Sequence, residues 1–435
     1  MKTERRDLSR VWFIWIVCVF IAYPIGAEDN DVIIIRNADS LIGKRVDGEN
    51  IRELIGNVVL EQDDIVVYCD RAIHYPARNS AFLEGNVRVV EDTVTLLADQ
   101  GYYDGNARML DGEGNLYLDD GVTRLTAKYG KYFIDEKVAE FWENVVVDDP
   151  SGIVYSDHLV HRREMEFSTA TGNVRVVDHD RGTTVYGQLL EYDSHTGSSS
   201  MQESPVLVHM DTTEAGQIDT LIVKSKLMES ILEDTVRRFI AHDEVEMNRG
   251  DLSARGQRSV YYVDEDELNL TGEPIMWFQE NQITGDSIHV QLEEQQLRSL
   301  EVYRRAFAVS KSDPRYPDRF NQLTGMELTM WFSNDEIEKI EVRDQATSLY
   351  FLYEEMLPNG VNHVTGDTIT LLFIDGELDE LKIAGGIEGE YYPERLVRGR
   401  VDTYNLAGFR WVEERPDLSI PERPIVHHPI GEILE

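Results

Sequence analysis

The sequence predicts an all-β protein, an elongated and twisted open roll of repeated antiparallel strands in two stacked lobes. Three observations predict it. Apolar residues alternate with a period of two, as in strands that bury one face. One motif recurs every 29 residues in the first half of the chain, and another recurs every 40 or 41 residues in the second half. Two-strand units cannot bury an alternating face singly, so such repeats must stack around a continuous apolar interior.

The N-terminus reads as an export signal. Lys2, Arg5, Arg6 and Arg10 precede an apolar run from Val11 to Ala22, Pro24 breaks it, and Ile25-Gly26-Ala27 leads into Glu28-Asp29-Asn30. This order of charged, apolar and small residues predicts a secretory signal peptide over residues 1–27, cleaved after Ala27. The run is short for a membrane span, and an uncleaved inner-membrane anchor is the alternative. Cys18 lies deep in the run, so cleavage leaves Cys69 as the only thiol and no internal disulfide.

The 29-residue period is marked by Gly56-Asn57-Val58, Gly85-Asn86-Val87, Gly114-Asn115-Leu116, Glu143-Asn144-Val145 and Gly172-Asn173-Val174. Each triplet opens an alternating segment, with Arg88, Tyr117 and Val146 at positions expected to face outward. Asn, usually after Gly, suits a turn with positive φ. A second strand follows, aligned on a small residue: Cys69, Ala98, Ala127, Ser156 and Gly187. A ring stands five positions later, at His74, Tyr103, Tyr132, His161 and Tyr192. This register assigns Cys69 to a small core position instead of a nucleophile, and His74 and His161 to structural rings instead of metal ligands.

In the second half, Ile283-Thr284-Gly285-Asp286 returns as Leu323-Thr324-Gly325-Met326 and as Val364-Thr365-Gly366-Asp367. Each is followed by alternation, a tight turn such as Asp375-Gly376, and a returning strand. Residues 210 to 274 are less regular, and Met228 to Ile240 fits either a short helix or a strand. Prolines 416, 421, 424 and 429 favour an extended tail that is free to meet a partner. The expected organisation is a first lobe over 28–212, a second over 213–393, joined near 210–245, and a Pro-containing tail over 394–435.

Composition excludes several functions. The chain has 435 residues, 42% of them hydrophobic, which is enough for a large core. A net charge of −39, near −41 once four basic and two acidic residues leave with the signal, repels nucleic acid. Much of the acid sits at turns (Asp63-Asp64, Asp119-Asp120, Asp148-Asp149), where solvation explains it. Neither Asp264-Glu265-Asp266-Glu267 nor Asp178-His179-Asp180 fits an EF-hand loop. Gly-x-Ser-x-Gly, His-Glu-x-x-His and Gly-x-Gly-x-x-Gly are absent. No enzyme, cofactor or metal is expected.

The aliphatic-x-small-Asp strands (Val67-Tyr68-Cys69-Asp70, Leu96-Leu97-Ala98-Asp99, Val154-Tyr155-Ser156-Asp157) leading to Gly-Asn-Val resemble the OstA-like family. These are the periplasmic lipopolysaccharide-transport proteins of the LptA type, with relatives in LptC and the N-terminal domain of LptD. The resemblance covers residues 30 to 210, and the block through Tyr391-Tyr392-Pro393 looks like longer variants. It implies a β-jellyroll whose apolar groove takes lipid acyl chains, a periplasmic location in a Gram-negative bacterium, and end-to-end strand pairing with other jellyrolls or with itself. Its expected groove lining is Val58, Leu60, Val67, Val87, Val89, Leu96, Leu116, Leu118, Leu125, Val145, Val147, Val154, Val174, Val176 and Val185. Two other classes stand beside it: a secreted carbohydrate-active enzyme on a β-solenoid, and a structural or adhesive repeat protein that oligomerises through its strand edges without lipid.

Overall fold

A computed structural model describes residues 33–62, 65–91, 93–179, 182–212, 218–233, 236–263, 265–293, 296–333, 336–374 and 376–422. Residues 1–27, expected to be an export signal, and Asp63-Asp64, Asp180, Asp264, Asp375, Pro424 and Pro429 lie outside them. The chain divides into two compact units, one through Pro205 and the other from Val206 to Ile420. Both are antiparallel β-rolls.

The first unit opens with β1 (Ile34–Asn37), β2 (Ser40–Val46), β3 (Glu49–Gln62) and β4 (Ile65–Tyr75). It continues with β5 (Ser80–Glu91), β6 (Val94–Asp104), β7 (Met109–Asp119), β8 (Arg124–Phe133) and β9 (Val138–Asp149). It ends with β10 (Gly152–Arg162), β11 (Phe167–Asp178), β12 (Thr183–Asp193) and β13 (Ser198–Gln202). From β3 to β13 each strand pairs with the next, so two strands and two turns make one 29-residue repeat.

The Gly-Asn pair of each repeat is a β-bulge within a strand, not a loop between strands. Gly85 and Asn86 both take positive φ (76° and 47°), and the β4–β5 register shifts between Tyr68/Arg71 there. A bulge bends its strand and increases its twist. One bulge per repeat therefore curls the sheet so that both halves of every strand face one interior.

Acidic turns have a structural role beyond solvation. Asp120 Oδ1 accepts the Val122 and Thr123 amides at 2.9 and 2.7 Å, and Asp104 Oδ1 accepts those of Asn106 and Ala107. Asp side chains that mimic a backbone turn fix the chain reversals.

The second unit repeats the plan with longer strands, including Gln296–Lys311, Phe320–Ser333, Glu336–Glu354 and Leu357–Ile374. Met228 to Ile240 belongs to two strands, Leu227–Glu233 and Val236–Arg249, and not to a helix. The recurring Thr-Gly explains itself by packing. A Cβ on Gly366 would sit 2.7 Å from Ile383 Cγ2, and one on Gly285 or Gly325 would sit closer still, 2.3 and 2.4 Å from Cγ1 of Val302 and Val342. Ile288, Leu300, Leu328, Val342 and Ile369 fill the core, with Phe278 meeting Phe332 edge-on at 5.3 Å. Leu378 and Leu381 form the returning strand as expected, yet they are exposed, because that strand pairs on one side only among the described residues.

The tail does not leave the body at Pro393. A short helix (Glu394–Val397) and a 3-10 turn (Val401–Tyr404) seat Val397 and Val401 against Leu349, Phe351 and Val361. The chain then runs extended over the sheet. Gln282 donates to Arg410 O and accepts from Val412 N, both at 2.8 Å, and Trp277 Nε1 donates to Val412 O at 3.1 Å. Gln322 donates to the Asn405 side-chain Oδ1 at 2.6 Å and accepts from Leu406 N at 2.8 Å. The extended tail expected from its prolines is thus docked in cis through residue 416, where Asn248 binds Pro416 O.

Candidate functional site

The interior of the first unit is built from four rows of inward residues. One row is wholly aliphatic: Leu60, Val67, Val89, Leu96, Leu118, Leu125, Val147, Val154, Val176 and Val185 face one another across β3 to β12. Beside it, large and small residues alternate. Val58 faces Cys69, Val87 faces Ala98, Leu116 faces Ala127, Val145 faces Ser156 and Val174 faces Gly187. The small residue gives room to the branched one opposite, which is the reason for its fixed place in the repeat. Cys69 is one of these, and burial pushes its thiol up to about 11, away from any nucleophilic role.

Beyond the bulge lies the ring row. His74, Tyr103, Tyr132, His161 and Tyr192 alternate with Ala81, Leu110, Ala139 and Ser168. His161 Nδ1 lies 3.0 Å from Ser168 Oγ, and desolvation lowers its pKa to about 4, so the ring is neutral. Among the described residues no cluster of three or more His, Cys, Asp or Glu is placed to hold a metal ion.

The fourth row decides where space is left. It reads Leu54, Ala72, Leu83, Gly101, Gly112, Gly130, Phe141, Leu159, Ala170, Leu190 and Met201. Three successive strands, β6 to β8, carry glycine where their neighbours carry leucine or phenylalanine. None of the three has positive φ, so none is there for backbone freedom. Glycine inside a strand costs about 0.5–1 kcal/mol relative to alanine. At Gly112 and Gly130 it makes room for Leu116, whose Cδ1 lies 3.2 and 2.7 Å from where a Cβ would stand, while at Gly101 the nearest atoms are at 3.5 Å.

A cavity of about 100 Å³ opens over these glycines. Of the residues expected to line a groove, Val87, Val89, Leu96, Leu116, Leu118, Leu125 and Val147 line it. Leu60 and Val67 line a smaller cavity of about 30 Å³ with Ile33, Ile65 and Tyr103. Val58, Val145, Val154, Val174 and Val176 lie in the same inward rows but beyond either cavity, where they are buried in the interior, and Val185, at the end of its row, is half-buried. Sequence reasoning missed Leu83, Leu110, Phe141, Leu159 and the glycines, because it followed the alternation only downstream of each Gly-Asn. Counting back from the bulge at the same period would have found them.

Two positions expected to face outward need correction. Arg88 is exposed, but Tyr117 and Val146 are buried, at 8% and 2% exposure. They do point away from the cavity row. However, the outer face carries its own apolar cover, with Leu97 and Thr126 flanking Tyr117, and Thr126 and Tyr155 flanking Val146. Arg88 lies over the Tyr68 ring at 4.1 Å and Arg175 over Tyr155 at 3.9 Å, extending that cover.

With this geometry in hand, the likenesses to known proteins fall into place. Residues 30–129 match the family of OstA-like proteins, and residues 206–296 match the LptA/(LptD N-terminal domain) LPS transport protein family. Among solved structures, LptH of Pseudomonas aeruginosa is similar at 11% identity over 33% of this chain and 95% of its own, with a TM-score of 0.26. That protein is described as the LptA-homologous periplasmic component of the conserved lipopolysaccharide transport device. No curated protein matches. The two family matches support the resemblance read from the repeats: the first unit contains a segment similar to OstA-like proteins, and the second a segment similar to the LptA/(LptD N-terminal domain) family.

Proposed function

We propose that the protein is a non-enzymatic carrier of lipopolysaccharide in the periplasm, exported by its N-terminal signal, holding acyl chains inside the first β-roll on the way to the outer membrane. The observation that carries this reading is the apolar cavity enclosed by an OstA-like roll. Moving an acyl chain from water into such an interior is worth about 0.8 kcal/mol per CH₂. The cavity is of the size class that takes a small ring or a few methylenes, since a site of ~150 Å³ holds benzene. A longer chain therefore requires the roll to widen.

Partners fit the strand edges. Among the described residues β2 pairs only with β3, and it exposes Leu41, Ile42 and Val46. An unpaired apolar edge is a template for another strand, so a neighbouring jellyroll or a second copy would add there. The same edge favours the alternative of a lipid-free structural repeat protein. Purification from envelopes of a lipopolysaccharide-producing bacterium without detergent separates the two. Lipid A acyl chains in the organic extract are expected, and a folded, exported but lipid-free protein overturns the carrier reading.

A further inference from the structure

We propose that a strip on the outer face of the second unit is a docking groove for an extended peptide of another protein, one with aromatic residues two positions apart. Residues 409–416 of this chain are its built-in competitor. The inference goes beyond the carrier reading and uses neither the roll interior nor the strand edges.

The strip is a row across six strands, in which Asn248, Ser253, Trp277, Gln282, Val309 and Gln322 face one another in turn. Their chain neighbours Met276 and Ile283 lie in the core, so by alternation the row faces outward. Even so, Trp277, Gln282, Val309 and Gln322 are at most 3% exposed, because the tail lies across them. Four bonds hold residues 409–416 there, and all four go to main-chain atoms. Gln282 takes Arg410 O and Val412 N, Trp277 takes Val412 O, and Asn248 takes Pro416 O. Such bonds read an extended backbone of any sequence, and side-chain contacts add the selectivity. Here the selective contact is Phe320, whose ring meets Phe409 at 5.3 Å and Trp411 at 5.1 Å.

The two parts of the tail are held unequally. Its root is fixed: Arg319 donates to both carboxylate oxygens of Glu394 at 3.0 and 2.7 Å, and Val397 and Val401 are buried. The arm beyond is held lightly. Phe409, Trp411 and Val412 are only half-buried, Arg410, Glu413 and Glu414 are exposed, and Trp411 Nε1 is buried without a protein partner. Between root and arm, Ala407 and Gly408 are exposed, and Gly408 sits at φ 90°. The arm therefore lifts at this hinge while the root stays seated, baring an apolar strip set with carboxamides. A tethered arm competes at an effective concentration of about millimolar. The arm of a second copy would make the same contacts without that advantage, so the occupant that displaces it is a different chain with a better fit.

Fluorescence anisotropy of a labelled peptide of residues 406–418, used as the probe on the full-length protein, tests this. Val412→Pro removes the amide that Gln282 accepts and frees the arm without touching the groove. The variant F409A/W411A frees it by a second route. Each variant, once shown to keep the wild-type circular dichroism, is expected to bind the probe at least about tenfold more tightly than wild type, since its own arm no longer competes. Adding Gln282→Ala to either variant is expected to abolish the gain. Two folded variants that bind no better than wild type overturn the competitor role, and a gain that survives Gln282→Ala overturns the groove. A probe carrying Phe409→Ala and Trp411→Ala that binds as tightly overturns the aromatic requirement. A wild-type dimer in sedimentation that Val412→Pro dissolves overturns the assignment to another protein and gives the groove to a second copy.

Discussion

The Asp70 carboxylate accepts the Asn86 side-chain amide at 2.7 Å and occupies the space that a side chain on Gly85 would need. Asp70 ends the aliphatic-x-small-Asp motif of one strand, and Gly85-Asn86 is the bulge of the next. The two halves of the repeat signature are therefore one contact. It recurs at Asp39–Asn57, Asp99–Asn115 and Asp157–Asn173, at 2.8–3.0 Å. Gly85→Ala places a Cβ 2.6 Å from Asp70 Oδ2 at φ +76°, and it is expected to cost about 1–3 kcal/mol. Urea denaturation of the variant measures it.

The fourth repeat breaks the motif on both sides at once. Lys128 replaces Asp and Glu143 replaces Gly, and the two form an ion pair at 2.8 Å. Glu143 keeps the bulge conformation at φ 61°, which a non-glycine residue adopts at a cost of about 1 kcal/mol. The exposed pair returns no more than that. The double variant K128D/E143G restores the common form and is expected to be more stable than wild type by up to about 1 kcal/mol. Thermal unfolding checks it, and a destabilised double variant contradicts the account of the bulge.

Acid should weaken the first roll through its buried rings. His161 is held near pKa 4 by burial with a smaller push from Arg163, and burial also lowers His74. In the unfolded chain a histidine takes up a proton near pH 6.5. The folded form binds fewer protons, so this stability is complete above about pH 6.5 and falls as pH drops towards 4, by at most about 3 kcal/mol for His161. His161→Phe is expected to flatten that slope in denaturation curves between pH 7 and 4.

The tail is part of the second unit's stability. Gln282 satisfies two backbone groups of the tail while almost wholly buried, at 1% exposure. Gln282→Ala leaves both without partners and is expected to cost about 2–3 kcal/mol and to speed proteolysis between residues 405 and 416. Unchanged cleavage there would show the tail is held by other contacts.

Much of this was legible in the sequence because period-two alternation and fixed repeats report directly on strands and their stacking. The ladder from Leu60 to Val185 and the small slots at Cys69 and Ala98 are the clearest cases. The cavity was not legible as a place. It depends on Gly101, Gly112 and Gly130 coming into register across three strands, which a repeat read from its Gly-Asn side does not display. Burial of Tyr117 and Val146 was hidden for a related reason: alternation tells which face a residue points to, not what covers that face. The docking of the tail through Gln282 and Gln322 has no periodic signal at all.

The central claim is that lipid enters the first roll. Photoreactive residues placed at Val87, Leu116 and Val147, with exposed controls at Arg88 and Lys128, test it in cells by probing adducts for lipopolysaccharide. Adducts at the three inward positions and none at the controls are predicted. Folded, exported protein with no lipid adduct at Val87, Leu116 or Val147 would contradict the account.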